Sequence, residues 1–200
     1  MPRAERRAAG PFSILTVCTG NVCRSPLAEQ LLRARLVEAG FTSVEVASAG
    51  LHAVVGAPMD TIPAQISSRL GGDPSRARGQ QLTSEMVAAS DLLLTMTRSQ
   101  RDHLVSRYPS AVHRSFTLVE FARLLGPAGG ATASVADMAA PAAASERLQS
   151  VVASAGRKRP SVRLTDDDDV TDPIGRPDDV HEAVGEQISL ATSRIVFGLR

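Results

Sequence analysis

Apolar and polar positions alternate in blocks along the chain, and the blocks change period. Ser13-Ile14-Leu15-Thr16-Val17 is a short β-rich apolar run that reads as a buried strand ending at Cys18. A polar stretch with Gly20 and Asn21 follows. Ser25-Pro26 then resembles a helix start, with Ser as N-cap and Pro in the first helical position. Leu27, Leu31 and Ala34 keep helical spacing until Gly40. The pattern repeats further on. Val44 to Ala47 predicts a second strand and Asp60 to Leu70 a helix stopped by Gly71-Gly72. Leu82 to Val87 predicts a short helix, Asp91 to Met96 a buried strand and Thr97 to Arg107 a helix. Arg114 to Leu118 predicts a fourth strand, and Val119 to Leu125 a helical piece.

Beyond Gly126 the pattern loosens into Ala, Gly, Ser and Pro. Residues 126–169 read as an insert, with a helix expected over Ser145 to Ala155 and a loop over Arg157 to Asp169. Val180, Val184, Ile188, Ala191, Ile195 and Leu199 recur every three or four residues, which predicts a long amphipathic C-terminal helix. Residues 1–12 read as a flexible tail before a domain spanning 13–200. Strands that alternate with helices predict an α/β fold of three layers: a four-stranded parallel sheet in the order 2-1-3-4, with helices on both faces. Such folds bind ligands beyond the carboxyl ends of the strands, which points to the loop that starts at Cys18.

Composition narrows the classes. The chain has 200 residues, 43% hydrophobic and 22% charged, as expected of a globular domain rather than a disordered one. Aromatics amount to 3%, with no Trp, so stacking platforms for single-stranded nucleic acid are not expected. A net charge of +1 gives no bulk basic field for DNA or an anionic membrane. The charge clusters, Arg3-Arg6-Arg7 and Arg157-Lys158-Arg159 before Asp166 to Asp169, read as solvated loops. Two cysteines, Cys18 and Cys23, make no disulfide framework, so a reducing cytoplasm is expected. No apolar window predicts membrane insertion.

The chemistry lies in Cys18-Thr19-Gly20-Asn21-Val22-Cys23-Arg24-Ser25-Pro26. Backbone N–H groups of Thr19, Gly20, Asn21, Val22, Cys23 and Ser25 can converge as an anion nest. A helix N-terminus adds positive potential, and Arg24 can grip two phosphate oxygens. Gly20 and Asn21 tolerate the left-handed backbone that a nest requires. The same field favours the thiolate of Cys18, which could attack phosphorus and form a phosphocysteine.

Val17 to Pro26 resembles the phosphate-binding loop of the low-molecular-weight protein tyrosine phosphatase family. The resemblance continues in Ser48-Ala49-Gly50, in Gly56-Ala57-Pro58-Met59-Asp60, in the Asp91 strand with Met96, in Tyr108-Pro109 to Phe121, and in Thr171-Asp172-Pro173. It implies that Cys18 is the nucleophile and Arg24 the phosphate clamp. Ser25 would hydrogen-bond the thiolate and Asn21 would hold the strained turn. Asp172 would protonate the leaving oxygen and then activate water. It also implies a phosphorylated protein as substrate, phosphotyrosine above all, and no cofactor or metal. Cys23 is either a small loop residue or, as in family members with the same pair, a reversible disulfide partner that protects Cys18.

Other readings compete. Asp166 to Asp169 with Val170 fits the Asp-x-Asp-x-Val pattern of haloacid-dehalogenase-type phosphatases, but it comes late and follows a basic run rather than a strand. Thiol-dependent arsenate reductases share the first loop; many use distal cysteines, which this chain lacks. Protein-arginine phosphatases carry a Thr where this loop has Val22. A phosphopeptide-binding module without turnover would have no use for Cys18, Arg24 and Asp172 together. Two departures from the family stand out. Leu51-His52-Ala53-Val54 and Ile174-Gly175 stand where many tyrosine-specific members place aromatic walls, which predicts a weaker phenyl pocket. His52 itself reads as a solvated loop residue. Arg76 to Gln81 also lacks the His that family members often carry there, which leaves the support of Asn21 open.

Overall fold

The computed structural model describes residues 10–126, 141–162 and 165–200. The strands are β1 (Phe12–Cys18), β2 (Val44–Gly50), β3 (Leu92–Thr95) and β4 (Ser115–Thr117). They form one parallel sheet in the order β2-β1-β3-β4, the expected arrangement. The helices are α1 (Arg24–Glu38), α2 (Thr61–Arg69), α3 (Ser84–Ala89), α4 (Arg98–Arg107), α5 (Leu118–Leu125), α6 (Pro141–Lys158) and α7 (Asp178–Leu199).

Both sheet faces are covered, so the strands are apolar along most of their length. Ile14 and Cys18 of β1 join Leu92 and Leu94 of β3 in a core with α1, α5, α6 and α7. Leu15, Val17 and Leu93 point the opposite way, into a second core with Val87 and Leu104. The two-residue period of a strand sends alternate side chains into separate layers.

Several boundaries differ from the sequence expectation. Strand β2 runs on to Gly50, because Ser48, Ala49 and Gly50 stay in register with Thr16, Val17 and Cys18. Helix α1 starts at Arg24 with Cys23 as N-cap, so Ser25 and Pro26 lie inside its first turn. Pro is tolerated there because first-turn N–H groups have no intrahelical acceptor, and Ser25 is left free for another task. Helix α6 extends to Lys158 and buries Leu148, Val152 and Ala155. Phe12, read as the end of the tail, is the first residue of β1 and is 1% exposed.

The solvated-loop reading of the second charge cluster holds for the exposed Arg157, Lys158, Asp166 and Asp167, although the first two end α6, and fails for Arg159, Asp168 and Asp169. Arg159 pairs with buried Glu120 at 2.7 Å and lies over the Phe116 ring at 4.2 Å. Arg98 pairs with Asp166 and Asp169, and Arg123 with buried Asp168. The first cluster, Arg3 to Arg7, falls outside the described residues, as do 127–140 within the looser stretch.

Candidate active site

Five carbonyls around the first loop are engaged from outside it. Those of Cys18, Thr19, Gly20 and Val22 accept from the N–H groups of Leu51, His52, Val54 and Asp60, and that of Cys23 from Leu27. A trans peptide sets its N–H opposite its C=O. The N–H groups of Thr19, Gly20, Asn21, Cys23 and Arg24 therefore turn towards the loop's interior, as an anion nest requires. Asn21 adopts φ +56°, the one positive φ at a non-glycine among the described residues.

Asn21 organises the floor. Its Oδ1 accepts the Gln80 backbone N–H at 2.8 Å, which fixes the amide orientation. Its Nδ2 then donates to the Ser25 and Ser48 hydroxyls, both at 2.9 Å. Ser25 Oγ accepts from Asn21 and lies 2.9 Å from Cys18 Sγ and 3.4 Å from the Ala49 carbonyl, so it is towards a Cys18 thiolate that the hydroxyl becomes the donor. The Asn21 N–H also faces Sγ, at 3.3 Å. Two donors thus converge on the sulfur.

The network extends behind the loop. Ser48 donates to the Glu29 carboxylate at 2.6 Å. Burial pushes the Glu29 carboxyl above its ordinary range, opposed by the Ser48 hydrogen bond and by Arg33. Gln100 Nε2 donates to Thr19 Oγ1 at 3.1 Å, and its Oε1 accepts from the Met96 and Thr97 N–H groups. Burial pushes the Cys23 thiol up to about 12, with Cys18 adding to the rise, so Cys23 stays neutral.

Arg24 is 3% exposed. Its Nη1 donates to the Val170 carbonyl at 3.1 Å and its Nη2 pairs with Asp172 at 2.6 Å. Its Nε is buried without a partner among the described groups. The structure thus brings Asp172, on a half-exposed side chain, to the arginine of a loop some 150 residues earlier. The Asp166–Asp169 run lies in a 3-10 turn and is tied to Arg98 and Arg123, so those carboxylates do not line the loop. Among the described residues no group of three His, Cys, Asp or Glu side chains could hold a metal ion.

The family model described as low molecular weight phosphotyrosine protein phosphatase matches residues 13–128. The chain belongs to that family. As a member of the low molecular weight phosphatases it is 41% identical over 108 residues to the probable low molecular weight protein-tyrosine-phosphatase EpsP of Ralstonia nicotianae, covering 54% of this chain and 71% of that protein. It is 37% identical over 111 residues to a protein-arginine-phosphatase of Geobacillus stearothermophilus, covering 56% and 72%. The crystal structure of the Erwinia amylovora tyrosine phosphatase amsI superposes with a TM-score of 0.66 at 25% identity, covering 95% of this chain and 94% of that one.

Sequence reasoning missed four parts of this phosphatase's site: Glu29, the Gln80 N–H, Gln100 and the Val170 carbonyl. Ser48-Ala49-Gly50 gave one signal, since a serine at the end of a strand beside β1 must face the loop. Glu29 gave another, lying one helical turn beyond Ser25 on the same face of α1. The lip is apolar: the Val22 and Val54 methyls lie 3.7 and 3.9 Å from where a Cβ on Gly20 would stand. His52 is exposed, its ring 6.0 Å from that of His103.

Proposed function

We propose that this phosphatase hydrolyses phosphotyrosine in cytoplasmic proteins through a phosphocysteine on Cys18. The observation that carries the reading is the sulfur's setting: Cys18 Sγ lies 2.9 Å from the Ser25 hydroxyl and 3.3 Å from the Asn21 N–H, inside a loop whose carbonyls are engaged from outside. Donors of this kind stabilise a thiolate and make it a better leaving group when phosphocysteine breaks down.

The cycle follows from the geometry. A phosphate monoester enters the nest and its oxygens take the Nε and Nη2 donors of Arg24, which matches the bidentate fork to the phosphate. That displaces Asp172 from Nη2 towards the ester oxygen, and the carboxylate takes a proton from solvent as it leaves the Arg24 cation. The Cys18 thiolate attacks phosphorus, the P–O bond to the phenol breaks, and Asp172 gives its proton to the departing oxygen. Asp172 then takes a proton from water as the water attacks the phosphocysteine. The P–S bond breaks, leaving inorganic phosphate and the Cys18 thiolate. Arg24 and the backbone donors carry the charge stabilisation throughout, so the steps call for no metal.

Val54 lies beside Gly20 of the loop and the exposed Ile174 gives its N–H to Asp172, and a phenyl ring would pack on such aliphatic side chains. The planar guanidinium of phosphoarginine would instead call for acceptors. The 37% identity to a protein-arginine-phosphatase keeps phosphoarginine as the second reading. Rates on phosphotyrosine, phosphoarginine and phosphoserine peptides, with arsenate reduction measured alongside, discriminate among them. Phosphotyrosine should be fastest. Cys18→Ser should abolish turnover while still binding phosphate, and substantial residual activity would sink the mechanism. Asp172→Asn should cost about 10²–10⁴-fold on phenyl phosphate and much less on p-nitrophenyl phosphate, whose phenolate leaves unaided.

A further inference from the structure

The acidic run before the Asp172 turn is absorbed by none of the steps above, yet it is firmly held. Asp168 is 1% exposed. Its carboxylate accepts from Arg123 and from the Thr165 N–H, both at 2.8 Å, and its carbonyl accepts the Thr117 hydroxyl at 2.9 Å. These contacts join the segment to the end of β4 and the last turn of α5, and they are contacts of the fold.

Asp169 is held differently. Its Oδ1 accepts the Arg98 backbone N–H at 2.7 Å and Arg98 Nε at 3.3 Å, and its Oδ2 accepts Arg98 Nη2 at 3.3 Å. Arg98 is the first residue of α4, so the carboxylate sits on a helix N-terminus as well as on a guanidinium. The Asp169 carbonyl accepts from Gln187 of α7 at 3.2 Å. Val170 follows, fully buried, with its N–H on the Met96 carbonyl at 2.8 Å and its carbonyl under Arg24. Past Val170 the restraints thin out: Asp172 is 51% exposed and is held by Arg24 and the Ile174 N–H. Asp169 and Val170 are thus the last firm anchors before the acid, which lies within about 10 Å of extended chain from Asp169.

The same turn of α4 serves the other half of the site. Gln100, two residues beyond Arg98, holds Thr19 in the phosphate loop. One helix end therefore supports both the loop that binds phosphate and the segment that carries the acid.

We infer that Asp169 is a positioning residue for the phosphatase reaction: docked on the first turn of α4 through Arg98, it sets the reach of the Asp172 carboxyl over Cys18. The inference rests on Asp172 being the general acid. A displacement of about 1 Å at a reacting group can cost about 10²-fold, so the expected effect of losing the anchor lies at or below that size.

The test is a double-mutant cycle on the full chain, read with phenyl phosphate and p-nitrophenyl phosphate. Asp169→Ala should lower kcat on phenyl phosphate about 10–100-fold and lower it clearly less on p-nitrophenyl phosphate. KM and inhibition by inorganic phosphate should stay near those of the parent, since the phosphate loop is untouched. In an Asp172→Asn background the same change should add almost nothing, because the acid it positions is gone. Asp169→Asn keeps an acceptor for the Arg98 N–H and should recover part of the loss, and it serves as the readout if the alanine variant folds poorly. Equal losses on the two esters, no loss, or a full multiplicative loss on top of Asp172→Asn would each overturn the inference. If Asp172→Asn itself shows no dependence on the leaving group, the general-acid reading fails and this one with it. If Asp172→Asn shows that dependence and the Asp169 variants do not, only the positioning role falls.

Discussion

Asn21 accounts for most of what the loop does at the scale of one residue. It supplies a positive φ, a fixed amide, and hydrogen bonds to Ser25 and Ser48. Sequence reading could single it out, along with Cys18, Arg24 and Ser25, because all four fall within one short loop where spacing carries the geometry. It could not supply Asn21's supports. Ser48 lies 27 residues away and Gln80 59; the place of Ser48 at a strand end hints at the loop, but no local pattern marks Gln80, which acts through its backbone. The missing histidine turned out not to leave Asn21 unsupported: a backbone N–H, a serine and Glu29 behind it hold the side chain. Cys23 yields a prediction of its own. Its thiol keeps its proton to about 12 in the folded chain, against 9.0 for a free thiol, chiefly through burial. The unfolded chain releases that proton at lower pH than the folded one, so stability falls as pH rises from about 9 towards 12. Denaturant midpoints measured from pH 8 to 10.5 should drop in the parent and drop less in Cys23→Ala.

At the scale of elements, the strands and helices were legible and their ends were not. The predicted second strand stopped at Ala47, yet pairing with β1 keeps Ser48-Ala49-Gly50 in the sheet, because cross-strand hydrogen bonds outweigh the weak β-propensity of Ser, Ala and Gly. Gly50 must be glycine for a steric reason: a Cβ there would stand 2.6 Å from the Thr19 carbonyl oxygen and 2.9 Å from Ala53. Gly50→Ala would push the end of β2 away from the phosphate loop. Overpacking of this kind costs about 1–3 kcal/mol, and kcat/KM on p-nitrophenyl phosphate should fall by about tenfold or more. Calorimetry beside steady-state kinetics checks both; an unchanged kcat/KM would show that the strand end does not set the loop. Within the basic run Arg157 to Arg159, Arg159 was misread because charge alone does not reveal a buried partner. Arg159 meets Glu120 across 39 residues of chain.

For the whole molecule, strand–helix alternation was enough to predict the parallel sheet with both faces covered, because parallel strands need crossover connections that lay helices on the sheet. What stayed hidden was how α6 docks. Leu148 is fully buried and belongs to the same apolar core as β1, α1, α5 and α7. If that core is one cooperative unit, Leu148→Ala should cost about 2–5 kcal/mol and lower a single melting transition by roughly 5–15 °C for a chain of this size. A second, separate transition, or none of this loss, would show α6 to be an appendage. The long reach from Arg24 to Val170 also matters while the chain is being made. The phosphate loop is synthesised early, and its partner segment 146 residues later. At about 5–20 residues per second that interval is roughly 7–30 s. A growing chain thus carries the nucleophile and the phosphate donors well before the acid exists, and gains what turnover requires only once that later segment has been made.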